Sequence, residues 1–405
     1  MKKPKQIVSM FNFLFPQYKI TKPIRLIELF AGIGSQSKAL KNIGANFETW
    51  KVVEFDEEAI KSYNAIHDTN FKTSDITKIH AKDLEIIDTK LYDYILTYSF
   101  PCTDLSVAGK QQGMQKGSGT RSGLLWEVER ILEECDELPQ VLLMENVPQV
   151  HSEENEKDFI DWKNKLESLG YKNFWYDLSA TKFGIPQSRL RCFMISILGD
   201  YSYEFPNGWK LNDPSVISIC DEEGVNEKYF LTKKQIEQIM WWNSQQEPFD
   251  SLTKEVFPTL TTRSCAYAGG MILHSNLDKK EEIELGKELL YIKNNIYKPK
   301  LAGGLGKPTS NGGTQFFQQD RIYDGKYVAV SLTANLPSGS NFYVLDFKDK
   351  IDLRKLTPKE CFRLMGFTDE DYFKASKVNN DNALWKQTGN SICVPVLEAI
   401  FKQLL

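Results

Sequence analysis

Four side chains stand out as able to do chemistry: Cys102, Glu145, Arg189 and Arg191. Cys102 follows Leu91–Phe100 (LYDYILTYSF), an apolar, aromatic-rich run that reads as a strand ending at Pro101. Open α/β sheets hold their ligands just beyond the carboxyl ends of strands, where this cysteine stands. A thiolate there would be a strong nucleophile. A free cysteine also behaves as a small hydrophobe, so its position alone fits plain burial as well. Glu145 follows the run Val141–Met144, at the end of a second strand. A carboxyl group held out of water there would have a raised pKa and serve as a proton donor. Gln187, Arg189 and Arg191 alternate ahead of the apolar strand Cys192–Ile197, so an extended backbone points all three to one face. That arrangement suits recognition of an anion or a base edge, or else describes a solvated edge strand.

The elements that must position these groups come first in the chain. Ile24–Phe30 (IRLIELF) reads as a nearly continuous apolar strand, followed by Ala31-Gly32-Ile33-Gly34 and a helical pattern through Leu40. Glycines at such a junction let a ligand approach the backbone, and the helix start offers free N–H groups. The next strand, Thr49–Val53, ends in Glu54, where an acidic side chain grips ribose hydroxyls, with Phe55 beside it to stack on an adenine ring. Asp75, before Ile76, reads as a third acid at a strand end. Ser37 stands where the dinucleotide fingerprint wants its third glycine, which tilts the site from a nicotinamide dinucleotide towards another adenosine ligand. Glu54 on its own also reads as a solvated loop charge. The glycine-rich stretch Gly109–Gly123, flanked by Lys110 and Arg121, reads as a mobile roof over Cys102. Leu124–Glu134 and Asp158–Gly170 read as helices.

With 405 residues the chain has room for two domains and a sizeable core. Its seven cysteines are scattered without CxxC or Cys/His spacing and only four histidines are present, which speaks against disulfides and a structural zinc site and for a reducing cytoplasm. The net charge of -4 gives no global sign of nucleic-acid binding, although a basic face can sit within an acidic total. MKKPK followed by IVSMFNFLF imitates a signal peptide, but the apolar run is too short for a membrane span and carries Asn12. From about residue 200 the βα alternation gives way to mixed Pro, Gly, Asn, Gln and aromatic residues, including Trp241-Trp242. This reads as a second domain ending near residue 350. It holds two look-alike stretches, Phe257–Ile272 and Val328–Val344, each with a Leu-Thr pair, and a basic, aromatic segment, Tyr291–Tyr327, suited to phosphates and unstacked bases. Regular structure returns with a helix over Leu356–Met365, capped by Thr357 with Pro358 at its first position, and a final segment, Gln387–Leu405, opening on Gly389-Asn390-Ser391.

Taken in order, these pieces resemble a DNA (cytosine-5)-methyltransferase. The likeness rests on FAGIG at 30–34, Glu54-Phe55, Asp75-Ile76, Phe100-Pro101-Cys102, Glu145-Asn146-Val147, Gln187-x-Arg189-x-Arg191, LTPKECFRLMGF at 356–367 and Gly389-Asn390-Ser391. The segment LTYSFPCTDLS…GSGTRSGLLWEVER is similar to bacterial members that methylate CpG. Thr103 departs from the Gln or Asn that most members carry there. The resemblance implies an α/β fold, the Rossmann-like mixed sheet of S-adenosylmethionine-dependent methyltransferases, with a smaller target-recognition domain. It implies a catalytic domain over 1–199, target recognition over 200–350, and a return to the catalytic domain over 351–405. S-adenosylmethionine is the implied cofactor, with no metal, surrounded by Phe30, Gly32, Gly34, Glu54, Phe55, Asp75, Ile76, Leu124, Asn390 and Ser391. Cys102, Glu145, Arg189 and Arg191 are the implied catalytic residues. The substrate would be double-stranded DNA, acted on by a cytoplasmic monomer that partners a separate restriction endonuclease or works as a phage or orphan enzyme.

Three rivals share parts of this pattern. A related enzyme acting on tRNA would have a slimmer recognition domain. A nicotinamide oxidoreductase would give Cys102, Glu145 and the arginines nothing to do. A non-catalytic DNA-binding relative would have lost Cys102 or Glu145, and both are present.

Overall fold

The computed structural model describes residues 15–101, 105, 114–117, 119–208, 219–221, 224–230, 329–330, 343–346 and 352–405, with 329–330, 343–346 and 352–355 described as backbone only. Cys102, Thr103, Lys110, most of the glycine-rich stretch, Trp241-Trp242, the basic segment over 291–327, and all but a few backbone positions of the two Leu-Thr stretches lie outside the described residues.

Six strands form one mixed sheet: β1 (Ile24–Leu29), β2 (Phe47–Val53), β3 (Asp93–Tyr98), β4 (Val141–Asn146), β5 (Tyr171–Ser179) and, beyond the two-residue β6 (Gln187–Ser188), β7 (Leu190–Leu198). The spatial order is β2-β1-β3-β4-β7-β5. Strands β1 to β4 run parallel, while β7 pairs antiparallel with both β4 and β5. The chain leaves β1 towards β2 on one side and returns to β3 on the other, so the order reverses between β1 and β3. Open α/β sheets hold their ligands at such a reversal, beyond the strands' carboxyl ends.

The strands read as continuous apolar runs because both faces are covered. Leu26, Ile95, Val141 and Leu143 face one core, which they share with Ala39 and Leu40 of α1 (Ser35–Asn42) and Leu397, Ile400 and Phe401 of α9 (Val394–Leu404). Ile27, Leu29, Leu96, Tyr98, Leu142 and Met144 face the other, under Leu125, Val128 and Ile131 of α4 (Leu125–Glu134) and Phe159, Trp162 and Leu166 of α5 (Glu156–Ser168). The two-residue period of each strand thus divides its side chains between two helical layers.

The C-terminal helices α6 (Pro358–Leu364), α7 (Asp369–Ser376), α8 (Asp381–Asn390) and α9 return to the first layer. Thr357 caps α6 as the sequence predicts, and Glu360 completes a reciprocal capping box with it. Lys38 of α1 pairs with Asp371 of α7 at 2.7 Å, a largely buried ion pair. Ser62 of α2 (Glu57–His67), which precedes the one-turn α3 (Ala81–Leu84), donates to Gln387 of α8 at 2.8 Å.

Two expectations from the sequence need correction, and one strand was not foreseen. Asp75 does not end a strand. It lies in a loop and caps a single 3-10 turn, Ile76–Lys78, through Thr77 N–H. Gly389-Asn390-Ser391 closes α8 instead of opening the last helix, which begins after Cys393 with Pro395 in its first turn. Strand β5 had no counterpart in the sequence reading, because its burial follows no clear alternation at the sheet's edge.

Candidate active site

The turn after β1 is built to come close to a ligand. Phe30, Gly32 and Gly34 all take left-handed backbone conformations, with φ of 57°, 56° and 81°. The two glycines do different work. A methyl group built on Gly32 would meet nothing within 4 Å, so open space lies against that backbone. One built on Gly34 would collide with the rings of Tyr63, at 2.6 Å, and His67. Gly34 therefore lets α2 pack under the turn, and Gly32 leaves room above it.

A buried polar group supports the turn from below. Glu28, fully buried in β1, accepts hydrogen bonds from the Tyr63 hydroxyl, from Ser37 Oγ at 2.7 Å and from Ser37 N–H at 3.3 Å. Loss of water pushes its carboxyl pKa up to about 7. Ser37 thus holds the first turn of α1 to the sheet by a hydrogen bond, which explains a serine where dinucleotide-binding turns carry glycine. His67 Nε2 meets the Ile33 carbonyl at 3.0 Å, and burial lowers its pKa to about 4, so the ring is neutral near pH 7 and donates.

Glu54 stands at the end of β2 beside this turn. Its Oε2 accepts from Gly32 N–H and its Oε1 from Asp56 N–H, both at 2.8 Å. Burial raises its pKa, and the two backbone donors oppose that rise. Each oxygen keeps acceptor capacity for a further donor. Phe55 next to it is 77 % exposed, a large apolar ring standing in solvent. Asp75 uses Oδ1 on Thr77, whose two donors lower its pKa, and leaves Oδ2 with only a 3.9 Å approach from Lys78. Ile76 is buried and Leu124 half-buried. The Asn390 side chain is exposed, whereas Ser391 is buried with its hydroxyl donated to the Gln387 carbonyl.

The second half of the site lies at the ends of β3, β4 and β7. β3 ends at Tyr98, paired with Leu29 at the end of β1, and the described chain runs on from it through Phe100 to Pro101. Asn146 donates to the Phe100 carbonyl at 3.0 Å, and Ser122 Oγ donates to the Pro101 carbonyl at 2.7 Å. These bonds fix the backbone that enters the cysteine.

Glu145, one residue earlier on β4, is only 8 % exposed. Burial raises its pKa, against the pull of Arg191 and Arg189. Arg191 Nε approaches its Oε1 at 3.3 Å, but that oxygen receives no aligned hydrogen bond. A buried carboxyl oxygen left this way costs free energy unless a partner arrives. Arg191 also donates to the Leu190 carbonyl at 2.8 Å.

Gln187 and Arg189 are buried, which excludes the solvated-edge alternative. Both reach the C-terminal helices. Gln187 donates to the Leu364 carbonyl at 2.9 Å, and Arg189 to the Gly389 and Ser391 carbonyls at 3.1 and 2.8 Å. The alternating trio thus divides: Arg191 faces Glu145, while Gln187 and Arg189 lock the loop before β7 onto the chain's last segment.

Glu28, Tyr63, His67, Asn146 and Ser122 were given no individual role by the sequence. Glu28 carried a signal, being a charged residue inside an otherwise apolar strand; the others gain their roles only from contacts across the fold.

The family model of C-5 cytosine-specific DNA methylases matches residues 24–405. The chain is similar to the orphan methyltransferase M.SssI of Spiroplasma monobiae, 32 % identical over 441 residues covering 95 % of this chain and 98 % of that protein. It is equally similar to the type II methyltransferase M2.ScrFI of Lactococcus lactis subsp. cremoris, 32 % identical over 431 residues, covering 94 % and 99 %. Among solved structures, the Dnmt2 methyltransferase of S. pombe matches with a TM-score of 0.60 at 18 % identity, over 94 % of this chain and 98 % of that one, a likeness of fold.

Proposed function

The chain belongs to the C-5 cytosine-specific DNA methylase family, and we propose that it transfers a methyl group from S-adenosylmethionine to C5 of a cytosine flipped out of a short double-stranded DNA sequence. The observation that carries this reading is Glu145. Its buried carboxyl has a raised pKa and an oxygen without an aligned donor, beside Arg191 and one strand away from the segment that leads into Cys102.

Cytosine C5 is too weak a nucleophile to take a methyl group unaided. In the proposed mechanism the Cys102 thiolate adds at C6, and the electron pair of the C5–C6 double bond moves towards N3. Glu145 in its protonated form donates to N3, which cancels the charge arriving there, while its other oxygen accepts from the exocyclic amine. Arg191 binds O2. Such proton donation is typically worth ~10²–10⁴-fold in rate. S-adenosylmethionine supplies, when bound, an electrophilic methyl group on a sulfonium, which the enamine-like C5 takes up. A base then removes the C5 proton, the double bond re-forms, N3 returns its proton, and Cys102 leaves as thiolate. Arg189 acts by holding the loop before β7 against Gly389 and Ser391. The ring atoms are out of reach inside a duplex, so the base must leave the stack at a cost of a few kcal/mol.

The cofactor fits the turn after β1. The open space against Gly32, the residual acceptors of Glu54 bonded to it and the exposed ring of Phe55, the next residue, support this placement, and in this proposal Asp75, Ile76, Leu124 and Asn390 complete the cofactor's surroundings. Phe30 fixes the entry of the turn and Gly34 its underside. Ser391 contributes through backbone, its hydroxyl being committed to Gln387. In this reading residues 1–199 and 351–405 form the catalytic domain, and 200–350 the target-recognition domain. The enzyme works as a monomer in the cytoplasm and protects sites that a separate restriction endonuclease would cut. Type II and orphan methyltransferases among its relatives support such a role. Among the described residues no helix is long and apolar enough to cross a membrane.

The test is to incubate the protein and its Cys102→Ser variant with S-adenosylmethionine and mixed-sequence DNA, and to map 5-methylcytosine by bisulfite sequencing. Methylation at one short motif by the parent alone is expected. Methylation of tRNA in place of DNA would overturn the substrate, and full activity of the variant would overturn the mechanism.

A further inference from the structure

His151, Asp177 and Cys192 meet behind the proposed catalytic carboxylate, and none of them has a part in the methyl-transfer scheme. We propose that these three side chains form a binding site for a zinc-type divalent transition-metal ion, completed by a water molecule.

Each ligand comes from a different element. His151 ends the 3-10 turn Pro148–His151 that follows β4, and Asp177 and Cys192 sit opposite each other on the antiparallel strands β5 and β7. Cys192 is also paired with Asn146 on β4. His151 Nε2 and Asp177 Oδ1 are 3.0 Å apart, and the nitrogen, oxygen and sulfur atoms all lie within 4.8 Å of one another. Tetrahedral coordination at ordinary zinc bond lengths sets neighbouring ligand atoms about 3.3–3.6 Å apart, so His151 and Asp177 already stand near that spacing and the widest separation has to close by at most roughly 1.5 Å. Imidazole nitrogen and thiolate sulfur favour a zinc-type ion over calcium or magnesium. The charges also balance. One carboxylate, one thiolate and a neutral imidazole cancel a divalent cation, which suits a place where Cys192 is fully buried while His151 and Asp177 are only partly covered. Their exposed side leaves room for the water. Binding would exchange the Cys192 thiol proton for a sulfur–metal bond and release that proton to solvent. The ion would tie the turn after Glu145-Asn146-Val147 to β5 and β7, next to Arg191. Sequence spacing conceals such a site, because its ligands are far apart in the chain and follow no CxxC pattern.

Cobalt(II) titration of the full-length protein tests this, in a Cys102→Ser background that removes the proposed nucleophilic thiol. The expected result is one equivalent bound with a thiolate-to-cobalt charge-transfer band, retention of one zinc per chain after dialysis, and a rise in melting temperature with zinc. Cys192→Ser should abolish the band, and Asp177→Asn and His151→Gln should each weaken binding at least about tenfold. His151→Gln keeps the test decisive should Cys192→Ser fold poorly, since His151 is partly exposed. A folded parent that retains no metal would overturn the proposal and leave the trio an ion pair over a buried thiol. So would a charge-transfer band that survives both Cys192→Ser and His151→Gln.

Discussion

Gly32 and Gly34 offer a paired test, because the same added methyl group should damage different properties at the two positions. At Gly34, with φ of 81°, alanine carries the strain of a left-handed L-residue, about 1–2 kcal/mol. It must also displace the Tyr63 and His67 rings packed beneath, and overpacking of this kind costs about 1–3 kcal/mol. Gly34→Ala should therefore lose roughly 2–5 kcal/mol of stability. At Gly32, with φ of 56° and nothing within 4 Å, only the conformational strain of about 1–2 kcal/mol applies to the free protein. The methyl group instead projects into the space assigned to S-adenosylmethionine, so Gly32→Ala should bind it about 10- to 100-fold more weakly, equivalent to about 1.4–2.7 kcal/mol. Urea unfolding followed by tryptophan fluorescence gives the stabilities, and calorimetric titration with S-adenosylmethionine gives the affinities. Wild-type affinity in Gly32→Ala would refute the placement of the cofactor. Unchanged stability in Gly34→Ala would refute the packing argument.

Glu28 should make stability depend on pH. Unfolded, it ionises near 4.5, and folded near 7, so between those values the folded state holds a proton that the unfolded state has lost. Its contribution is complete below pH 4.5 and fades as pH rises through 7, by an amount on the order of 3 kcal/mol. His67, whose pKa falls to about 4, acts in the opposite direction, losing stability as pH drops below 6.5. The check is thus the difference in urea-derived stability between wild type and Glu28→Gln, which should shift towards the variant as pH rises from 4.5 to above 7. Arg189→Met removes the donor from two buried carbonyls, and about 2–4 kcal/mol of stability should go with it, measured by the same unfolding assay. Glu145→Gln should lower the single-turnover methylation rate by roughly 10²–10⁴-fold while S-adenosylmethionine affinity stays near wild type.

Much of this site was legible in the sequence because its parts lie at strand ends, and strand ends are marked by abrupt stops in apolar runs. IRLIELF stopping at Ala31-Gly32, and LYDYILTYSF stopping at Pro101, locate two neighbouring strand ends that the structure brings side by side. The C-terminal helices were harder to place. Asn390 and Ser391 look like a helix start, but the preceding stretch from Asp381 is itself helical and buries Leu384 and Trp385. Asp75 misled for a related reason: an acid before an isoleucine resembles a strand terminus, yet it caps a turn. The division of labour within Gln187, Arg189 and Arg191 could not be read from alternation. It depends on the carbonyls of Leu364, Gly389 and Ser391, 177 residues away along the chain for Gln187 and 200 and 202 residues away for Arg189.

The central claim is that Cys102 attacks cytosine C6 while Glu145 protonates N3. Duplex DNA with 5-fluorocytosine at the mapped target tests it directly, since a C5 fluorine cannot be removed as a proton and the adduct cannot collapse. With S-adenosylmethionine, the wild-type protein should become joined to the DNA in a complex that survives denaturation. The peptide carrying the modification should contain Cys102, Glu145→Gln should form the complex far more slowly, and Cys102→Ser should form none. A denaturation-resistant complex with Cys102→Ser, or turnover of the fluorinated duplex by wild type without any such complex, would contradict the account.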